Sequence, residues 1–348
     1  MTEESELQER IRDLLRQDLG KEAASFEKLK GGRNSRVARV DCHDGSVFAV
    51  KAYFQSPHDP RDRMGCEYRA LTFLKKEGIH QVATPLCNDP GQRIAVFEFV
   101  VGDPVHGGVI GNGEIDQVVA FLAALRKLAT PEKAGHLGPA SEACFSIRTI
   151  LRNVEERLGR LEQAALQKPS LAAFLERELS PFKTEAVERL ERFCQKKGLQ
   201  IDQEIPPSSR TLSPSDFGFH NALKLQDKRL VFLDFEYFGW DDPAKTICDF
   251  LLHPGMELSN ESRQRFFAGM MNAFADLGGL ADRVRAVYPL FGLKWCAILL
   301  NEFTREHNER RIFSIGSVAS LEESIQLEKA RRMLGIISRD LHEFPYHA

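Results

Sequence analysis

The chain has 348 residues, with 47 lysines and arginines against 50 aspartates and glutamates, a formal charge of −3. That near-neutral balance argues against a nucleic-acid binder, which carries a basic excess or stripe, and 43% hydrophobic with 28% charged residues is the composition of a globular chain. No apolar run approaches the ~20 residues that span a bilayer. The acidic start, Met1 to Glu6, lacks the apolar core of a secretory signal. Seven scattered cysteines without CxxC spacing read as reduced thiols of a cytoplasmic protein. The length fits roughly two domains or lobes.

In chain order, Leu7, Ile11, Leu14 and Leu15 predict a helix over 5–17. Strands are expected at Val37–Asp41 and Val47–Tyr53 around the turn His43-Asp44-Gly45-Ser46, a helix over 62–77, and strands at Val82–Leu86 and Ile94–Val100. The break at Val101-Gly102-Asp103-Pro104 sets the expected lobe boundary, a mixed N-terminal lobe over 1–101 and a mainly helical lobe over 102–348. Helical periods follow over 113–130, 146–166, 170–199, 259–276, 283–301 and 318–341. The long charged stretch 146–199 reads as an insertion that shapes a substrate side or forms the contact of a homodimer.

Segment 205–243 differs from its surroundings. Ala222–Leu225 and Leu230–Leu233 flank Gln226-Asp227-Lys228, a hairpin pattern. Counted from Asp227, Asn221 and Asp234 fall at the same open end. Asp216 enters that end from the preceding loop and Glu236 lies just beyond. Hard oxygen donors gathered this way suit Mg²⁺, which takes one or two protein carboxylates and then waters and substrate phosphates. Turn, capping and strand-end roles are the plain alternative for the same residues. An Asp, an Asn five residues on, and a short hairpin ending in apolar-Asp is also the layout of a phosphotransferase catalytic loop and metal site.

In the N-terminal half, Phe48-Ala49-Val50-Lys51 ends an apolar strand on a lysine. Met64, Glu67, Leu71 and Leu74 form one helical stripe, which turns Glu67 inward. A carboxylate there needs a partner, and Lys51 is the natural one.

With these residues the chain resembles the aminoglycoside phosphotransferase/choline kinase group, small-molecule kinases of protein-kinase-like fold. The family motif is His-Gly-Asp-x-x-x-x-Asn followed by Ile-Asp-x-Glu, and the resemblance extends over about 25–330. It implies an α+β, two-lobed fold with a small sheet in the N-lobe, and ATP-dependent transfer of phosphate to a hydroxyl of a small molecule. Asp216 would be the base or orienter, and Asn221 and Asp234 would hold Mg²⁺. Lys51, paired with Glu67, would contact the ATP phosphates. Lys30-Gly31-Gly32-Arg33-Asn34-Ser35 would stand for the phosphate loop, with Gly31, Gly32 and Asn34 at the nucleotide. The hinge backbone from Glu98 to Val100 would bind adenine. Asp241-Asp242-Pro243 and Asp249 resemble supports of the catalytic loop.

The chain departs from the motif at Pro214 and Ser215, which replace His and Gly. Gly218 stands where protein kinases carry a lysine, and Asp-Phe-Glu replaces Asp-Phe-Gly, which argues against a protein kinase with an activation segment. Phe217 and Phe219 are expected to seat the loop on the core, and His220 to pack or cap. Glu236, Asp241, Asp242 and Glu302 could line an acidic pocket for a cationic aminoglycoside or choline, or could be structural, with a sugar or other alcohol as acceptor. The alternatives are a nucleotide-binding pseudokinase and a metal-dependent hydrolase using Asp216, His220, Asp234 and Glu236.

Overall fold

The computed structural model describes residues 3–29, 35–54, 61–105, 110–304 and 322–347. Gly31, Gly32 and Asn34 lie outside them. Two compact units emerge. Among the described residues, the first holds the chain up to Pro104 together with Asn221–Phe238, and the second holds the rest.

The first unit is built on helix α1 (Glu3–Leu19), strands β1 (Ala23–Leu29), β2 (Ser35–Cys42) and β3 (Val47–Tyr53), helix α2 (Arg63–Lys76), and strands β4 (Pro85–Asp89) and β5 (Ile94–Glu98). The strands form one antiparallel sheet in the order β1-β2-β3-β5-β4. The two-residue period of a strand sorts its faces. Phe48, Val50 and Ala52 join Val40, Val96, Ile11, Leu14 and Leu15 in a core beneath α1. Lys51 and Tyr53 therefore point to the opposite face. Strands Ala222–Lys224 and Leu230–Phe232 form the expected hairpin, in register Ala222 to Phe232. The hairpin pairs with Asp103–Pro104, and Phe232 bridges Val82.

The second unit is mainly helical: α3 (Asn112–Leu128), α4 (Ile147–Ala165), α5 (Ser180–Lys197), α6 (Pro243–Leu252), α7 (Asn260–Ala273), α8 (Leu280–Leu299) and α9 (Glu322–His342). A ribbon pairs Thr211–Ser213 with Gly239–Asp241. Helix α8 is buried along most of its length and packs against α4, α6 and α9. The apolar stripe Leu151, Val154, Leu158 and Leu161 makes α4 part of this core. Helix α6 is not among the helices the sequence predicts; all ten of its residues are buried, Lys245 and Asp249 included. All seven cysteine thiols are unpaired. No helix among the described residues is long and apolar enough to cross a membrane.

Candidate active site

The first unit gathers four of the sequence-predicted residues. Strand β3 turns Lys51 to the α2 side of the sheet, and the inward stripe of α2 turns Glu67 to meet it. The Lys51 ammonium donates to Glu67 Oε2 at 2.7 Å and to Asp234 Oδ1 at 2.5 Å, and lies 3.7 Å from Glu236 Oε2. Lys51 and Glu67 are buried. Burial works against the lysine's charge, but Asp234, Glu67 and Glu236 outweigh it and hold the ammonium protonated well above its ordinary range. Glu67 also accepts from the Tyr53 hydroxyl at 2.6 Å and from the Phe235 amide at 3.2 Å. Cys66, beside it on α2, donates to the Phe238 carbonyl at 3.3 Å. One helix thus fixes both the lysine and the segment that carries Asp234. Tyr53 was missed in the sequence, although it stands two residues after Lys51 and so shares its face.

Asn221 and Asp234 stand at the open end of the hairpin, where the Leu233 amide donates to the Asn221 carbonyl at 2.8 Å. Asp234 has φ +66°, in the left-handed region that Asp and Asn tolerate better than most residues. Glu98 ends β5. Its amide donates to the Thr84 carbonyl and its carboxylate accepts from the Thr84 hydroxyl at 2.6 Å, and Val100 lies beyond the ladder.

The donor chemistry fits a divalent cation. Glu67, Asp234 and Glu236 each offer an oxygen within 4.8 Å of the others. Their three negative charges face Lys51 and Arg63, whose Nε is 3.6 Å from Glu236 Oε1. That leaves one negative charge in excess, carried by hard oxygen donors.

The second unit carries Asp216. Ser215 has φ +69°, in the left-handed region that glycine adopts without cost. Its amide donates to Ser213 Oγ at 3.0 Å and its hydroxyl accepts from Lys245 Nζ at 3.0 Å. Phe217 stacks on Phe121 at 5.4 Å and Phe219 meets Phe250 edge-on at 5.9 Å, so the aromatic pair does seat the loop. Gly218 sits at a close approach: a Cβ there would press on Met256 Sδ and lie 2.9 Å from His220 Nδ1, so both side chains would have to shift.

Asp216 Oδ1 is 3.1 Å from His220 Nε2 and 3.6 Å from His253 Nε2. Burial opposes its ionisation, but the hydrogen bonds to His220 and then His253 outweigh that and hold the carboxyl well below the usual carboxylate range. His253 had no local sequence signal, because it comes from the end of α6.

Asp241, Asp242, Glu236 and Glu302 are all buried. Asp241 accepts from Lys245 at 2.8 Å, and Asp242 accepts from Arg283 Nε at 2.7 Å while capping α6. Lys245 also lies 3.1 Å from Asp249, itself 3.5 Å from Lys294. The series Asp241, Lys245, Asp249 is spaced i, i+4, i+8, a signal the sequence offered.

Lys294 lies 3.4 Å from Glu142, which accepts from Arg157 at 2.5 Å. Burial works against the Glu142 charge, but Lys294 and Arg157 outweigh it and lower its pKa from 4.5 to about 2. A carboxylate lowered in the folded state gives stability that is full above the unfolded value of 4.5 and drains away as pH falls towards 2. Glu142→Gln is therefore expected to cost on the order of 3 kcal/mol at neutral pH, with the difference from wild type closing below pH 4.5. Urea unfolding at a series of pH values checks this, and a pH-independent difference would refute it.

A family model described as the phosphotransferase enzyme family matches residues 25–286. No curated protein sequence matches the chain. Among solved structures, spectinomycin phosphotransferase in complex with ADP and spectinomycin is similar, with a TM-score of 0.65 at 12% identity over 95% of this chain and 98% of that one. A choline/ethanolamine kinase family protein from Mesorhizobium loti gives 0.61 at 15% identity over 97% and 98%. Choline kinase from Streptococcus pneumoniae gives 0.61 at 16% identity over 95% and 98%. These likenesses give the fold, a protein-kinase-like one, and the family model covers most of the sequence. The chain belongs to the phosphotransferase enzyme family.

Proposed function

We propose that the protein is an ATP-dependent kinase that phosphorylates a hydroxyl of a small molecule. The observation that carries this is the Lys51 ammonium held between Glu67 and Asp234. A buried lysine fixed on a helical glutamate and on the aspartate after a hairpin is the arrangement that contacts nucleotide phosphates. Asn221 and Asp234 would hold Mg²⁺, which when bound supplies positive charge to the phosphate oxygens. Lys51 adds a further fixed charge, and Glu67 keeps it aimed. Gly31, Gly32 and Asn34 would meet the phosphates, and the backbone from Glu98 to Val100 the adenine.

Asp216 would accept a hydrogen bond from the acceptor hydroxyl and orient it for in-line attack, so that positioning and electrostatics supply most of the acceleration. Asp241 and Asp242, matched to Lys245 and Arg283, are read as supports of this loop. Their pairing favours a neutral sugar or alcohol as acceptor over a polycation. A screen of hydroxyl compounds with Mg²⁺-ATP, read by ADP release and by phosphorus NMR, tests the proposal. Asp216→Asn is expected to lower turnover by about 10²–10⁴-fold with nucleotide affinity unchanged. Turnover equal to wild type would remove Asp216 from the chemistry.

A further inference from the structure

The Asp216 carboxylate is the centre of a small built cluster. His220 and His253 stack face to face, with ring centroids 3.9 Å apart and planes 2° from parallel. Both present Nε2 to the same carboxylate oxygen, Oδ1. On its other side the His253 ring meets the edge of the Trp295 indole at 4.5 Å. His253 follows directly on α6, whose every residue is buried and whose start is fixed by the Asp242 cap. The ring therefore has little freedom, held by two aromatic neighbours and by a helix that cannot slide.

Three such ligand atoms close together could also suggest a metal site. The hydrogen bonding of His253 argues otherwise. The Gly255 amide donates to His253 Nδ1 at 3.1 Å. Nδ1 is thus an acceptor, and the neutral ring carries its proton on Nε2. A metal-bound imidazole has the reverse arrangement: its ligating nitrogen has no proton, and the other nitrogen donates. The ring directs its Nε2 proton at Asp216 Oδ1 from 3.6 Å, within reach once the carboxylate shifts by a few tenths of an ångström.

From this we infer that His253 is a positioning residue of the phosphotransfer site: its Nε2–H, together with His220, fixes the plane of the Asp216 carboxylate, the task left open where Pro214 replaces the motif's histidine. The inference rests on Asp216 being the hydroxyl-orienting group, as proposed above. A second N–H directed at the oxygen that His220 already holds restrains the carboxylate's rotation more than His220 alone, and a catalytic group must be held within a fraction of an ångström and some tens of degrees to be useful. His253 acts through Asp216 and has no contact with the transferred phosphate in this scheme.

Two near-isosteric substitutions separate this role from a merely structural one. His253→Gln places an amide N–H near the position of Nε2 and keeps the donor to Asp216. His253→Asn places its carbonyl oxygen near Nδ1 and keeps the acceptor for the Gly255 amide, but withdraws the donor. With Mg²⁺-ATP and water as the acceptor, His253→Asn is expected to lose about ten- to hundredfold in kcat with KM for ATP unchanged, and His253→Gln to stay within about threefold of wild type. A loop-supporting role through Gly255 predicts the opposite ranking, and that ranking, or equal rates for both variants, would overturn the inference.

A second measurement does not depend on turnover. Long-range proton–nitrogen NMR of histidine-labelled protein is expected to find His253 as the Nε2–H tautomer, with that proton shifted in Asp216→Asn. An Nδ1–H tautomer sinks the proposal outright. The two readings also fail separately. An Asp216→Asn enzyme as fast as wild type defeats the assignment of Asp216, whereas an inactive Asp216→Asn beside indifferent His253 variants defeats only the role of His253.

Discussion

Replacing Lys51 by methionine is expected to destabilise the protein by about 3–5 kcal/mol and to abolish ATP turnover. The ammonium is the shared partner of Glu67 and Asp234, with Glu236 at 3.7 Å, and Lys51 and Glu67 are buried. Methionine fills a similar volume but leaves those carboxylates facing one another, with Arg63 at 3.6 Å from Glu236. Like charges at this separation raise the cost of keeping each ionised. Glu67→Gln in the same chain removes one of them, so the double variant should regain part of the loss. The difference from additivity measures the coupling of the pair. Urea unfolding midpoints of the two single variants and the double variant check this. An unchanged midpoint for Lys51→Met would show that the lysine is not the counter-charge the geometry makes it.

The second large effect is expected at Lys245. Its side chain is wholly buried, 2.8 Å from Asp241, 3.1 Å from Asp249 and 3.0 Å from the Ser215 hydroxyl. Burial works against its charge, yet Asp241 and Asp249 outweigh burial and hold it charged well above the ordinary lysine range. Lys245→Met leaves Asp241 buried without its cation and is expected to cost about 3–5 kcal/mol. A buried ion pair contributes little net stability compared with well-packed apolar groups of its own size, because desolvation offsets attraction. Asp241→Leu combined with Lys245→Met should therefore recover most of the stability that the single change loses. Thermal and urea unfolding of the two variants decide it, and a double variant no better than the single one would show that packing rather than charge sets the cost.

The amino-acid sequence by itself determined the elements and the order of the chemical groups. Periods of two and of about 3.6 residues placed strands β2 to β5 and most helices within a few residues, while β1 (Ala23–Leu29) was not predicted. Glu67 was legible from its period too: a carboxylate on an apolar stripe must find a cation, and a strand lysine lay upstream. The end of the hairpin was legible from counting, since Asn221 and Asp234 flank a tight turn almost symmetrically.

The tertiary structure alone showed which acids are matched by a buried cation. Asp241 and Asp242 read equally well as pocket acids or supports until burial paired them with Lys245 and Arg283. Helix α6 was not among the predicted helices, and with it went Lys245 and His253. A histidine that reaches Asp216 from 37 residues away leaves no trace in local sequence, because the force that brings it there is the packing of a whole helix rather than any pattern within it.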